Sequence, residues 1–205
     1  NDAASYSSPK GGKRGCLCKD GRTYSSKCCK GELINQGIGS IQASTSIYTV
    51  GQAALGGVIA YILQPDDTGY DAGVQKGFVA TTADLSFNAQ WGCYGTLIVG
   101  ADGIDLGTGN QNTIDIMAGC ATAGIAARLC GDLTEGGYSD WYLPSKDELN
   151  KLWINRVAIG GFDNDADYWC STEYDNNFAW TQYFNDGNQF YFPKTGTKYV
   201  RAVRS

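Results

Sequence analysis

The 205 residues contain eight cysteines, 21 acidic side chains and no histidine. Without imidazole, Ser-His-Asp and Cys-His nucleophilic catalysis, His-ligated zinc or iron and histidine proton shuttles are excluded. Carboxylate, tyrosine, lysine and cysteine chemistry remains, and three clusters present it. The first is Cys16, Cys18, Cys28 and Cys29. Four thiolates can hold zinc, but neither pair has the spacing usual for zinc ligands, so two disulfides across a small hairpin, or reduced buried thiols, compete with that reading. The second is Asp163, Asp165 and Asp167, which alternate like the start of an EF-hand loop. Tyr168 stands where that loop needs glycine and Tyr174 where it needs a bidentate glutamate, so a solvated acidic loop is expected.

The third cluster spans residues 172–192. Its strands carry Tyr174, Phe178, Trp180, Tyr183, Phe184, Phe190, Tyr191 and Phe192, and its turns carry Asp175, Asn176, Asn177, Asn185, Asp186 and Asn188. Flat amphipathic rings beside short polar groups are what recognition loops use, and sugars are bound by the same mixture. Alternating aromatics also build cores, and Trp141, Trp169, Trp180 and Phe190 are expected inside. The expected ligand-binding set is therefore Tyr174, Asp175, Asn176, Asn177, Tyr183, Asn185, Asp186, Asn188 and Tyr191. No catalytic residue, metal or cofactor is expected.

These clusters need elements to hold them. A hydrophobic content of 42% and 28 glycines against four prolines point to one domain of many turns and short strands plus an appendage. Ser145 and Glu148 form a capping box that opens a helix, with Leu149, Leu152 and Trp153 as its apolar stripe. A second helix is expected after the glycine-rich stretch 100–110, capped by Asn112 or Thr113. Ile114, Met117, Ala121, Ile125 and Leu129 would face inward and Gly131 would stop it. On a continuous helix Cys120 and Cys130 lie about 15 Å apart, too far to bridge each other, and both read as core residues. Strands are expected at 56–63, 78–82, 91–99, 168–172, 178–184, 189–193 and 198–204. The stretch 100–110 lacks a phosphate-binding lysine and dinucleotide-type glycine spacing.

Charge is uneven: residues 1–40 sum to +4 and the remainder to −9. Residues 1–47 read as a basic, cysteine-rich anchoring arm and linker, and 48–205 as the body. Nucleic acid is one acidic partner that would suit the arm, but the arm lacks a recognisable nucleic-acid fold and an acidic protein surface would serve equally, so nucleic acid is not expected. No apolar run reaches membrane-spanning length, and residues 1–13 have no apolar leader core.

Several motifs carry a resemblance. Gly136-Gly-Tyr-Ser-Asp-Trp-Tyr-Leu-Pro-Ser-Lys-Asp-Glu-Leu149, Gly160-Gly-Phe162, Tyr168-Trp-Cys-Ser-Thr-Glu173, Phe178-Ala-Trp180, Tyr199-Val-Arg-Ala-Val-Arg204 and Gly107-Thr-Gly-Asn110 resemble the Lcl C-terminal domain family over residues 48–205. Cys170 stands where that family has serine. The resemblance implies an α+β fold of C-type lectin-like type, with two helices and twisted antiparallel strands, displayed as a homotrimer on an N-terminal stalk. Gln64-Pro65-Asp66 matches the sugar-selecting tripeptide of C-type lectins but lacks a nearby Trp-Asn-Asp partner, and a plain turn is expected. The fold is shared with formylglycine-generating enzymes, but their paired metal-binding cysteines have no counterpart, so no enzyme is expected. The arm resembles, more distantly, modules of Bacteroidetes-phage virion proteins. The expected function is a virion surface or fibre protein, anchored to other virion proteins through residues 1–47 and presenting a lectin-like body to cell-surface glycans. The alternative is a secreted or cell-surface bacterial adhesin, with disulfide-bonded cysteines.

Overall fold

The computed structural model describes residues 47–205 and the backbone of two short strands, β1 (Cys16–Leu17) and β2 (Tyr24–Ser25). The chain divides into two compact units, Asn1–Ser46 and Ile47–Ser205. In the first, β1 and β2 pair antiparallel, with Cys16 opposite Ser25 and Leu17 opposite Tyr24. The choice between zinc and disulfides at Cys16, Cys18, Cys28 and Cys29, and the anchoring role of residues 1–47, lie outside the described residues.

The second unit is α+β. The apolar run ending at Ile62 forms β4 (Gly57–Ile62), which pairs with β3 (Ala53–Ala54) and β5 (Gly77–Ala80). With β11 (Val203–Arg204) these make a four-stranded sheet ordered β11-β5-β4-β3. The turn after β4 is closed by Asp67, whose amide donates to the Gln64 carbonyl and whose carboxylate accepts from the Gln64 amide and the Tyr61 hydroxyl. Gln64-Pro65-Asp66 is a turn. The other sheet has five strands, ordered β6-β10-β7-β8-β9: β6 (Ser86–Gln90), β7 (Asp167–Glu173), β8 (Phe178–Tyr183), β9 (Gln189–Pro193) and β10 (Thr197–Val200). The strands pair antiparallel, as expected, except that β10 runs parallel to β7, with Tyr199 opposite Tyr168.

Side chains alternate across a strand, so β7 feeds two cores. Trp169 joins Trp91, Trp141, Ile116 and Ile125 on one face. Tyr168 and Cys170 join Leu149, Leu152 and Phe184 on the other. The single strand expected at 198–204 is two. The chain leaves the five-stranded sheet after Val200, turns at Arg201 and Ala202, and enters the other sheet at Val203. The strand expected at 91–99 is an irregular loop, and the strand lies just before it, as β6.

Three helices stand among the described residues, where two were expected: α1 (Gly109–Gly119), α2 (Ala126–Gly131) and α3 (Lys146–Ile159). The long helix is interrupted at 120–125, where Cys120 turns to extended backbone as the C-cap of α1. Thr108, not Asn112 or Thr113, is the N-cap, and the buried face is not the one expected: Ile116 is fully buried and Ile114 is exposed. Asn112 and Thr113 are buried instead. Asn112 accepts from the Gly103 amide and donates to the Gly103 carbonyl, and the Thr113 hydroxyl accepts from the Leu143 amide. Cys120 forms a disulfide with Cys93, correcting its reading as a plain core residue. Cys130 and Cys170 are free and buried. Burial pushes the Cys170 thiol up to about 12 and raises the Cys130 thiol too, so neither presents a thiolate near neutrality.

Helix α3 starts as its sequence dictates. The Glu148 amide donates to the Ser145 hydroxyl, and the Ser145 amide donates 2.8 Å to the Glu148 carboxylate. Glu148 does more than cap. It is buried and accepts from the Gly107 amide at 2.9 Å and the Tyr142 hydroxyl at 3.3 Å, tying the glycine-rich loop to the helix. Removing these bonds with Glu148→Ala is expected to cost about 2–3 kcal/mol in urea unfolding. Burial raises the Glu148 carboxyl above its ordinary value, so the stability it contributes is present below that value and declines as pH rises through the raised one. Glu148→Gln lacks this decline, and the parent should lose more stability between pH 4 and pH 7 than the variant. A larger loss in the variant would contradict this.

Candidate functional site

Strand β8 alternates Phe178, Trp180 and Gln182 with the small Ala179 and Thr181. Ala179 and Thr181 are buried, and Ala179 packs in the first core. The opposite face is covered by α3, but only as far as its first residue, Lys146, whose ammonium lies 3.5 Å from the centroid of the Trp180 ring. Beyond that helix end the sheet is uncovered, and its rings form a cluster. Tyr174 and Tyr191 are stacked with centroids 4.3 Å apart and an interplanar angle of 7°. Trp180 meets both edge-on, at 5.6 and 6.1 Å, and Phe178 meets Tyr191 edge-on at 5.5 Å. Tyr174 is 51% exposed and Tyr191 48%. Lys146 has no carboxylate partner within 4.0 Å among the described residues.

A rigid turn flanks the cluster. One Asp175 carboxylate oxygen accepts from the Asn177 amide at 2.7 Å and the Phe178 amide at 2.8 Å, so the sequence Asp-Asn-Asn closes on itself. The Asn176 carbonyl accepts from the Gly95 amide and the Asn177 carbonyl from the Lys194 amide. The Asp175 carboxylate and these backbone bonds hold the turn, and Asn176 is exposed.

The nine residues expected to bind ligand fall into two groups. Tyr174, Asp175, Asn176, Asn177 and Tyr191 gather at one end of β8. Tyr183, Asn185, Asp186 and Asn188 lie at the other, roughly 17 Å away along a six-residue strand. The second group is engaged structurally. Asn185 donates to the Asp165 carboxylate, Asp186 accepts from Asn188, and Tyr183 is half-buried. Gly187, at φ +81°, lies so close to Trp153 that a β-carbon there would come within 2.4 Å of the indole.

Trp180, expected inside, is half-buried and forms one wall of the exposed cluster. Lys146 was not anticipated, and Phe178, one of the strand aromatics of residues 172–192, joins the cluster although it was not in the expected ligand-binding set. The alternation of small and large residues in β8 carried the signal for the rings, but nothing local places Lys146 over Trp180. Asp163, Asp165 and Asp167 diverge: Asp163 accepts from Tyr199, Asp165 from Asn185, and Asp167 pairs with Lys198. Among the described residues no three metal-capable side chains converge.

The sequence profile of the Lcl C-terminal domain family matches residues 81–204, well over half of the chain. This chain belongs to the Lcl C-terminal domain family. The match begins just after β5 and ends in β11, so the five-stranded sheet, the three helices and the aromatic cluster lie within it, while β3, β4 and β5 of the four-stranded sheet precede it. Among solved structures, the chain is similar to a fimbrial protein from Bacteroides ovatus ATCC 8483, with TM-score 0.50 and 16% identity, over 72% of this chain and 43% of that one. The chain thus spans less than half of the fimbrial protein, and the likeness is one of fold. A search of curated proteins found no match. No helix among the described residues is long and apolar enough to cross a membrane.

Proposed function

We propose that this Lcl C-terminal domain protein is a non-enzymatic, surface-displayed recognition protein of C-type lectin-like fold, and that its Tyr174, Tyr191 and Trp180 face binds cell-surface glycans. The observation that carries this reading is the exposed tyrosine stack, edge-on to Trp180 and bordered by a self-closed Asp-Asn-Asn turn. Aromatic faces offer contact to sugar C–H surfaces, while Asn176 and the Lys146 ammonium offer polar groups beside them. Display at a surface is supported by family membership and by the fold shared with a fimbrial protein. The Cys93 to Cys120 disulfide favours maturation in an oxidising compartment, which ranks the bacterial surface adhesin ahead of the phage virion protein.

A glycan array probed with the full chain tests the site. Tyr174→Ala and Tyr191→Ala are each expected to weaken the strongest glycan roughly tenfold, while Asn188→Ala, at the far turn, leaves it unchanged. Binding as tight as the parent's by both tyrosine variants, or no glycan bound by the parent, would reject the reading.

A further inference from the structure

The loop at 94–105 presents apolar side chains to solvent: Leu97 is 61% exposed, Val99 85%, and Ile104 is exposed as well. An apolar loop in water is ordinarily free to fold away, but this one is held from behind. The Cys93 to Cys120 disulfide anchors its start. Lys194, fully buried, donates to the Thr96 carbonyl at 2.9 Å, and Glu173 accepts from the Ile98 amide at 3.0 Å. Ile98 itself is buried, so its neighbours on either side point outward. Binding through such a loop carries little ordering cost.

Carboxylates lie in the same loop and beside it. Asp102 and Asp105 belong to the same loop and are exposed, and Asp115 of α1 lies against Gly100. None of the three has a lysine or arginine within 4.0 Å among the described residues. Asp147, whose amide donates to the Ile104 carbonyl, adds a fourth, and burial together with Asp105 raises its carboxyl. The cations nearest to it are committed elsewhere, Lys146 over Trp180 and Lys151 to Asp67. The loop and its flank thus combine exposed apolar groups with carboxylates that have no cation partner within 4.0 Å among the described residues.

The same chain carries the complementary charge. Residues 1–40 hold seven basic side chains against three acidic ones, while the remainder sums to −9. We infer that the face formed by Leu97, Val99, Ile104, Asp102, Asp105 and Asp115 receives the basic segment 1–40 of a second copy of this chain. Such a contact joins unlike surfaces. It closes into a ring where the rotation between copies allows, a trimer included, and otherwise continues as a filament. The contact uses neither Tyr174 nor Tyr191, so failure here leaves the glycan reading standing, and the reverse also holds.

Sedimentation equilibrium of the full chain tests the inference. The parent should self-associate at about 50 mM salt and dissociate towards monomer near 0.5 M, where charges are screened within a few ångströms. Asp102→Lys with Asp105→Lys should weaken association at least about tenfold. Lys10→Glu, Lys13→Glu and Arg14→Glu in one chain should do the same, and the two reversed chains should associate when mixed. Circular dichroism confirms that each variant is folded. A parent that is monomeric at low salt, which is also the outcome if the segment docks on its own body, overturns the inference. So do reversed chains that associate like the parent, or that stay apart when mixed.

Discussion

Replacing Lys194 with methionine is expected to destabilise the body by about 3–5 kcal/mol, the usual cost of leaving one member of a buried ion pair without its partner. Lys194 and Glu173 are in direct contact, with side-chain exposures of 0% and 2%. The ammonium also lies 4.7 Å from the centroid of the Trp91 ring. Attraction within the pair has to offset the desolvation of both charges, and removing the cation leaves only the penalty. Glu173→Gln in the same chain removes the stranded charge while keeping an acceptor for the Ile98 amide. The double variant should therefore recover most of the loss in chemical denaturation. A single variant within about 1 kcal/mol of the parent, or a double variant no better than the single one, would show that the pair does not behave as a desolvated pair. Because the same two side chains hold Thr96 and Ile98, faster amide exchange at 95–99 should accompany the loss.

Arg201→Met is expected to cost a similar amount, about 3–5 kcal/mol. Arg201 is buried at the corner where the last strand passes from one sheet to the other. Its guanidinium donates to Asp84 and the Thr81 carbonyl, each at 2.7 Å, and also to the Gly161 carbonyl. The plane stacks 4.1 Å from the centroid of Phe162. One planar fork thus satisfies three acceptors from two segments, 81–84 and 161, which a lysine cannot do with a single ammonium, and Arg201→Lys should rescue little. Burial raises the Asp84 carboxyl even with Arg201 beside it. Without the guanidinium it rises further, and a protonated Asp84 needs no counter-charge. The destabilisation should therefore be smaller at pH 4 than at pH 7 in urea titrations. The opposite trend would place the cost in packing against Phe162 and not in the charge.

Local rules carried much of this fold. Ser145 and Glu148 start α3 because both partners of the capping box lie within one turn. The strands at 57–62, 77–80 and 167–193 follow from apolar runs bounded by Asp, Asn and Gly. The motifs around Trp141, Trp169 and Arg204 identified the family before any coordinates, and the absence of histidine excluded whole classes of catalyst. Tertiary structure decided the rest. Periodicity could not show that α1 ends at Cys120, because the break is stabilised by a disulfide to Cys93, 27 residues earlier. It could not split the final strand, because the corner is held by Arg201 reaching to residues 84, 81 and 161. Nor could it divide nine polar and aromatic residues into an open cluster and a structural turn. That division depends on where α3 stops covering the sheet, on Lys146 reaching Trp180, and on Gly187 lying against Trp153. Short-range hydrogen bonding and side-chain period are encoded within a few residues of where they act. Burial, partner choice and the uncovered end of a sheet depend on chain segments that meet only when the whole body has folded.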